Sequence, residues 1–126
     1  IKAGEYIEAG WSIEAGGYIE AGGYIKAGRY IEAGESIKAG EYIEAGESIK
    51  AGEYIEAGWY IKAGCFSGIS AGLYINCKSK ISCGLSVFAG VAIHKRVSEA
   101  EKTITCTSLE GGATVPHGIL NLIKED

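Results

Sequence analysis

From Ile1 to Phe66 the chain repeats one six-position pattern eleven times: Ile, a charge, Ala, Gly, a variable residue, then Tyr, Ser or Phe. Ile at position 1 and Ala at position 3 lie two apart, so in an extended segment they face one way and the charge between them faces the other. The pattern predicts a short strand followed by a corner at the Gly, where a residue without Cβ tolerates conformations that others do not. Helix is disfavoured, because Gly recurs in every unit and an apolar period of six does not track 3.6. Units this short bury their apolar residues only by stacking on copies of themselves, so the predicted architecture is quasi-one-dimensional.

The charges at position 2 decide how many units make one coil. Three units per coil stack residues 18 apart at about 4.8 Å, giving the columns Lys2, Glu20, Lys38, Glu56 and Glu8, Lys26, Glu44, Lys62, both alternating in sign. Two units per coil would stack Glu8, Glu20, Glu32, Glu44 and Glu56; four would stack Lys2, Lys26 and Lys50. Opposite charges facing each other across strands are worth roughly 0.2–1 kcal/mol and like charges cost a similar amount, so the 18-residue coil is expected. The third column, Glu14, Glu32, Lys50, fits less well.

A strand-and-corner hexad stacked three to a coil resembles the hexapeptide-repeat, left-handed parallel β-helix family. The resemblance covers residues 1 to about 98 and implies triangular coils. Relative to that family the large and small inward positions are exchanged, since here Ala precedes the Gly and Ile stands two earlier. The expected fold is all-β: a single-domain triangular solenoid over residues 1–98, with a small C-terminal cap over 99–126. After a two-residue slip at Ser67-Gly68, the units ISAGLY (69–74), INCKSK (75–80), ISCGLS (81–86), VFAGVA (87–92) and IHKRVS (93–98) continue the pattern. About five coils, roughly 25 Å tall, are expected. SEAEKT (98–103) reads as a loop or one helical turn, Ile104 to Leu109 as a final strand, and Gly111-Gly112 and Pro116 as turns. Ile119 to Asp126 reads as a short amphipathic helix or tail whose Ile119, Leu120, Leu122 and Ile123 cover the open end, as solenoid edges require. No such cap precedes Ile1, so the first coil is expected to fray, to pair with another copy, or to continue into preceding residues.

At 126 residues and 47% hydrophobic content the chain holds enough apolar material for one domain. No apolar run approaches the roughly 18 residues of a membrane span, so no membrane partner is expected. No signal-peptide pattern is present, and with no Met in the chain the natural start is not marked; the expected location is cytoplasmic. Net charge is -4 and uneven: residues 1–66 carry eleven Glu against five Lys and Arg29, while residues 67–126 carry six basic and five acidic groups. Acidic repeats argue against direct nucleic-acid binding and for a basic protein partner. Cys77 and Cys83 occupy Ala slots and read as small buried residues. With Cys65 and Cys106 they form no C-x-x-C pair, so neither a disulfide nor a zinc site is expected.

Catalytic constellations are scarce. No G-x-x-x-x-G-K-[ST] occurs, and the carboxylates lie on a repetitive wet face where nothing separates their pKa values. The family resemblance implies acyl transfer as one function, with a His as general base. His94 at an outward position 2 and His117 after Pro116 are instead read as surface and turn residues, and no extended loop is present for an acyl donor. Ice binding needs a flat Thr array, but Thr103, Thr105, Thr107 and Thr114 lie outside the repeats.

The remaining signal is the surface. Position 6 should form a ladder Tyr6, Tyr24, Tyr42, Tyr60 on one side and Tyr18, Ser36, Tyr54, Tyr74 on another, with Trp11 and Trp59 at corners. Stacked aromatics stabilise a solenoid, and exposed Tyr and Trp also make binding hot spots. One side carries Glu14, Glu32, Glu35 and Glu53 against Lys50 alone. The expected function is therefore non-enzymatic and cofactor-free: binding of a basic protein through Glu14, Glu32, Glu35, Glu53, Tyr18, Tyr54, Trp11 and Trp59. Carboxylates on a rigid rod would substitute for phosphates and block a nucleic-acid-binding site, as in phage anti-CRISPR proteins or topoisomerase inhibitors. A self-associating scaffold, joined as a homo-oligomer through the first coil, and a small acyltransferase are the alternatives.

Overall fold

In the computed structural model, which describes residues 1–92 and 96–124, each hexad from Ile1 to Phe66 contributes one strand of two or three residues and one corner. The first coil holds β1 (Lys2–Ala3), β2 (Ile7–Ala9) and β3 (Ile13–Ala15); the second holds β4 (Ile19–Ala21), β5 (Ile25–Ala27) and β6 (Ile31–Ala33). The third holds β7 (Ile37–Ala39), β8 (Ile43–Ala45) and β9 (Ile49–Ala51), and the fourth β10 (Ile55–Ala57), β11 (Ile61–Lys62) and β12 (Ile69–Ala71). Above them lie β13 (Ile75–Cys77), β14 (Lys80–Ser82) and β15 (Ser86–Ala89), then β16 (Thr103–Cys106), β17 (Ser108–Glu110), β18 (Thr114–His117) and β19 (Ile119–Leu122).

Every third strand joins the same parallel sheet. Sheet I is β1-β4-β7-β10-β13-β16-β19, sheet II is β2-β5-β8-β11-β14-β17, and sheet III is β3-β6-β9-β12-β15-β18. The protein is an all-β parallel solenoid of triangular coils. The 18-residue coil is seen directly in the register, with Glu20 opposite Lys38 and Lys26 opposite Glu44. After the Ser67-Gly68 insertion the register steps by twenty, Ile49 pairing with Ile69 and Ile55 with Ile75, and the columns are restored without changing face.

Inside, the Ile columns are fully buried from Ile19 to Ile81 and again at Ile104, with position-3 Ala or Cys beside them. The core is one continuous cluster along the axis. Backbone groups at the corners are paired between coils as well: Gly40 N–H donates to the Ala21 carbonyl at 3.0 Å and Glu41 N–H to the Gly23 carbonyl at 3.1 Å. Hydrogen bonding therefore continues around each bend, which meets the demand that buried backbone polar groups be satisfied.

Four expectations are corrected. The stack does not end near residue 98: β16 to β19 lie in register on the same three sheets, so sheet I has seven strands and stands about 29 Å tall at ~4.8 Å per rung. Ile119–Leu122 is a strand on β16 and not a helix, because Leu120 and Leu122 continue the Ile104 and Cys106 columns with period two. The strand that pairs above β13 on sheet I is β16; of the IHKRVS unit, Ile93, His94 and Lys95 lie outside the described residues, Arg96–Ser98 is not strand, and a 3-10 turn at Ala100–Lys102 leads into β16. His117 ends β18 and sits opposite Phe88, with its Nε2 3.3 Å from the Gly90 carbonyl, so it is a strand residue.

The corner glycines owe their identity to stacking and not to backbone freedom. Positive φ occurs among the glycines only at Gly90, Gly111, Gly112 and Gly118, none of them a repeat-corner glycine of residues 1–66. At Gly28, Gly34, Gly40 and Gly58 a Cβ would fall well inside 3.0 Å of the carbonyl oxygen of the glycine one coil below.

Candidate protein-interaction surface

Outward position-2 side chains and the corners form the accessible surface. The first Tyr ladder forms as the 18-residue interval predicts: Tyr6–Tyr24, Tyr24–Tyr42 and Tyr42–Tyr60 stack with centroids 5.0, 4.8 and 4.9 Å apart and planes within 11°. Trp59, at the same corner between sheets I and II, meets Tyr60 edge-on at 5.6 Å and Tyr42 at 6.3 Å. On the corner between sheets III and I, Tyr54 stacks on Tyr74 at 5.1 Å. Tyr18 stands apart there, because Ser36 fills the intervening rung.

The charge columns are less directly paired than their alternation suggests. Among the described residues, Lys2–Glu20 at 4.0 Å is the one position-2 Lys–Glu pair of the hexads in ion-pair range. Tyrosines take up the carboxylates instead: Tyr24 donates to Glu8 at 3.2 Å, Tyr30 to Glu14 at 3.0 Å, Tyr60 to Glu44 at 3.2 Å and Tyr74 to Glu56 at 3.4 Å. The interval of 16 residues from Glu8 to Tyr24 recurs from Glu14 to Tyr30 and from Glu44 to Tyr60, but spacing alone leaves open whether a carboxylate turns to the tyrosine around the corner or to the residue one rung away. Partial burial in the ladder, reinforced by the Glu44 carboxylate, pushes the Tyr60 phenol up to about 12. The Glu14 hydrogen bond raises Tyr30, and desolvation with Glu8 raises Tyr24.

The acidic side is assembled as expected in part. Glu14 and Glu32 are opposite each other on β3 and β6, both exposed, with Lys50 next in the column. Glu35 and Glu53 are stacked on the adjoining corner, where Glu53 N–H donates to the Glu35 carbonyl at 3.0 Å. Tyr18 and Tyr54 share that corner. Trp11 lies on the other border of sheet III, 73% exposed, with the Arg29 guanidinium 5.7 Å from its ring centroid and Arg29 Nε donating to Glu47 at 3.0 Å. Trp59 is not on this side at all: it belongs to the corner between sheets I and II, away from sheet III, so it drops out of the acidic set.

Cys77, Cys83 and Cys106 are buried in Ala slots, and desolvation pushes the Cys77 thiol up to about 12. Cys65 is exposed beside Phe66, itself 86% exposed on the insertion. Among the described residues no three His, Cys, Asp or Glu side chains converge as metal ligands, and no helix is long and apolar enough to cross a membrane. Thr105 lies between Asn76 and Asn121, and Thr103 is opposite Ile119, so the rungs beside them add no further Thr to either column. Compared with known proteins, the chain matches no protein-family model, no curated protein and no solved structure.

Proposed function

We propose that this solenoid is a non-enzymatic binding protein whose sheet III and adjoining corner engage a basic protein surface, occupying a groove that otherwise takes nucleic acid. The observation that carries the reading is the Glu14–Glu32 register pair. The two other hexad columns alternate in sign, Glu20 facing Lys38 and Lys26 facing Glu44. A facing like-charge pair costs stability where a lysine at position 14 would have restored the alternation with Glu32 and Lys50. The stacked Glu35 and Glu53 on the next corner extend the same row, opposed only by Lys50. Carboxylates spaced along a hydrogen-bonded backbone present negative charge at fixed intervals with no backbone-ordering cost, which favours steering and docking onto lysine- and arginine-lined surfaces. Tyr18 and Tyr54 add contact area beside the row, and Trp11 borders it.

Membership of the hexapeptide-repeat group and a cytoplasmic location belong to the same proposal. The strand-and-corner unit supports the first, and four unpaired thiols agree with the second.

The test is capture of proteins from nuclease-treated cell extract on the immobilised chain, with elution by salt or by double-stranded DNA. The expected captives are basic nucleic-acid-binding proteins that DNA displaces and that are lost when Glu14, Glu32, Glu35 and Glu53 are all changed to Lys. A matched reversal of Glu5, Glu20, Glu41 and Glu56 should leave capture unchanged. Equal loss in both variants, or retention in the first, overturns the assignment.

A further inference from the structure

The Tyr ladder has a chemistry independent of any partner. We infer that Tyr6–Tyr24–Tyr42–Tyr60, together with Tyr54–Tyr74, is a site of oxidative modification at which a one-electron oxidant joins neighbouring rings of the same chain as dityrosine. Three observations converge on this.

Neighbouring rings are held face to face at 4.8 to 5.1 Å by strands in parallel register, so each phenol has a permanent partner on the next rung. Such fixed proximity replaces an encounter between two dilute radicals with a step inside one molecule. Side-chain rotation then brings the ortho carbons edge to edge, a motion of nanoseconds in partly exposed residues. Carboxylates already accept the phenol protons of Tyr24, Tyr60 and Tyr74, at 3.2 to 3.4 Å. Loss of an electron from these rings is therefore accompanied by proton transfer to Glu8, Glu44 or Glu56. Access is the third: Tyr6 is 53% exposed, and Trp59, 55% exposed, touches Tyr42 and Tyr60 as a second oxidisable ring.

Two phenols each lose one electron to the oxidant and one proton to a carboxylate or water, giving two phenoxyl radicals. One ortho carbon of each forms the new C–C bond, and the two ring hydrogens at those carbons return to the oxygens on tautomerisation. The product has lost two electrons and two protons in total, and it ties successive coils covalently.

Tyr18 and Tyr30 provide the internal contrast. Ser36 stacks over Tyr18 and Ser48 over Tyr30, and among the described residues neither tyrosine has a stacked ring partner.

The experiment uses photo-excited ruthenium trisbipyridyl with persulfate as the one-electron oxidant, acting on the full chain. Intramolecular coupling is read as dityrosine fluorescence in the monomer band of a denaturing gel and as loss of two hydrogens in its mass. Two triple variants each retain five of the eight tyrosines. Tyr24→Phe/Tyr60→Phe/Tyr74→Phe removes every stacked tyrosine pair, while Tyr6→Phe/Tyr18→Phe/Tyr30→Phe leaves Tyr24, Tyr42, Tyr60, Tyr54 and Tyr74 stacked. Phe keeps the ring packing, and the circular dichroism spectrum of each variant reports folding. The expected result is loss of the monomer signal in the first variant, its retention in the second, and loss in both on unfolding in guanidinium. Equal signal in the two folded variants, or coupling found only in cross-linked dimers, overturns the inference.

Discussion

Gly40 lies over the carbonyl of Gly22 so closely that a Cβ on residue 40 would be driven into that oxygen. The contact joins two corners one coil apart, and the same relationship recurs up the stack at Gly46, Gly52 and Gly58. It makes the repeated glycine a spacer that lets coils close to hydrogen-bonding distance, with Gly40 N–H reaching the Ala21 carbonyl at 3.0 Å.

Gly40→Ala should therefore lower stability by about 1–3 kcal/mol, as overpacking against rigid backbone does. Gly17→Ala is the control: its added Cβ meets only the Glu35 carboxylate, at 3.8 Å, and φ there is not positive. That change should be neutral or stabilise by about 0.4–1 kcal/mol through the unfolded chain. Denaturant melts of both variants check the pair, and equal losses would refute the stacking account.

Ile43 is fully buried between Ile25 and Ile61 in one column of the core. Ile43→Ala should cost about 2–5 kcal/mol, because the rungs above and below are pinned by their own hydrogen bonds and cannot collapse into the space. The reading is the shift in urea midpoint at unchanged slope.

Alkaline pH should unfold the protein from above the ordinary thiol and phenol range. Burial holds the Cys77 thiol at about 12 and the Tyr60 phenol at about 12 in the folded chain, against 9.0 and 10.0 without the fold. Each raised group favours the folded state fully below its unfolded pKa and loses that contribution as pH rises through the folded value. Stability should stay level on this account up to about pH 9 and fall between there and pH 12. Cys77→Ala, which restores the repeat's own residue, should flatten the first part of that fall. In the same range a thiol reagent should label Cys65 readily and Cys77, Cys83 and Cys106 only after unfolding.

Lys38 separates Glu20 from Glu56 in sheet I. Lys38→Glu would place three carboxylates in one column and should cost about 0.2–1 kcal/mol for each new facing pair. The loss should shrink in high salt, since the groups are exposed. Thermal melts at two ionic strengths test it, and a salt-independent loss would point to packing instead.

The sequence carried the local rules openly. Ile and Ala at positions 1 and 3 set which face is buried, the sign of position 2 at intervals of 18 set the coil, and the Tyr6–Tyr60 ladder followed from the same interval. Past residue 92 the reading failed, since the hexad vanishes there while the stack does not: Ile104 and Leu109 find Ile75 and Ile81 across an interval of 28 or 29 residues. No periodic signal spans a gap of changed length, so only the pairing of edges in space revealed those rungs.

Repetition alone thus determined a parallel stack, its inward face and its rung-to-rung partners, because each is fixed by residues a constant interval apart. Tertiary structure decided the rest: that the corner glycines answer to a neighbouring carbonyl, that the phenols of Tyr24, Tyr30, Tyr60 and Tyr74 donate hydrogen bonds to Glu8, Glu14, Glu44 and Glu56, and that the last four strands belong to the same solenoid. These depend on distances between coils. Spacing along the chain does not encode those distances once side chains can choose between a partner one rung away and one around the corner.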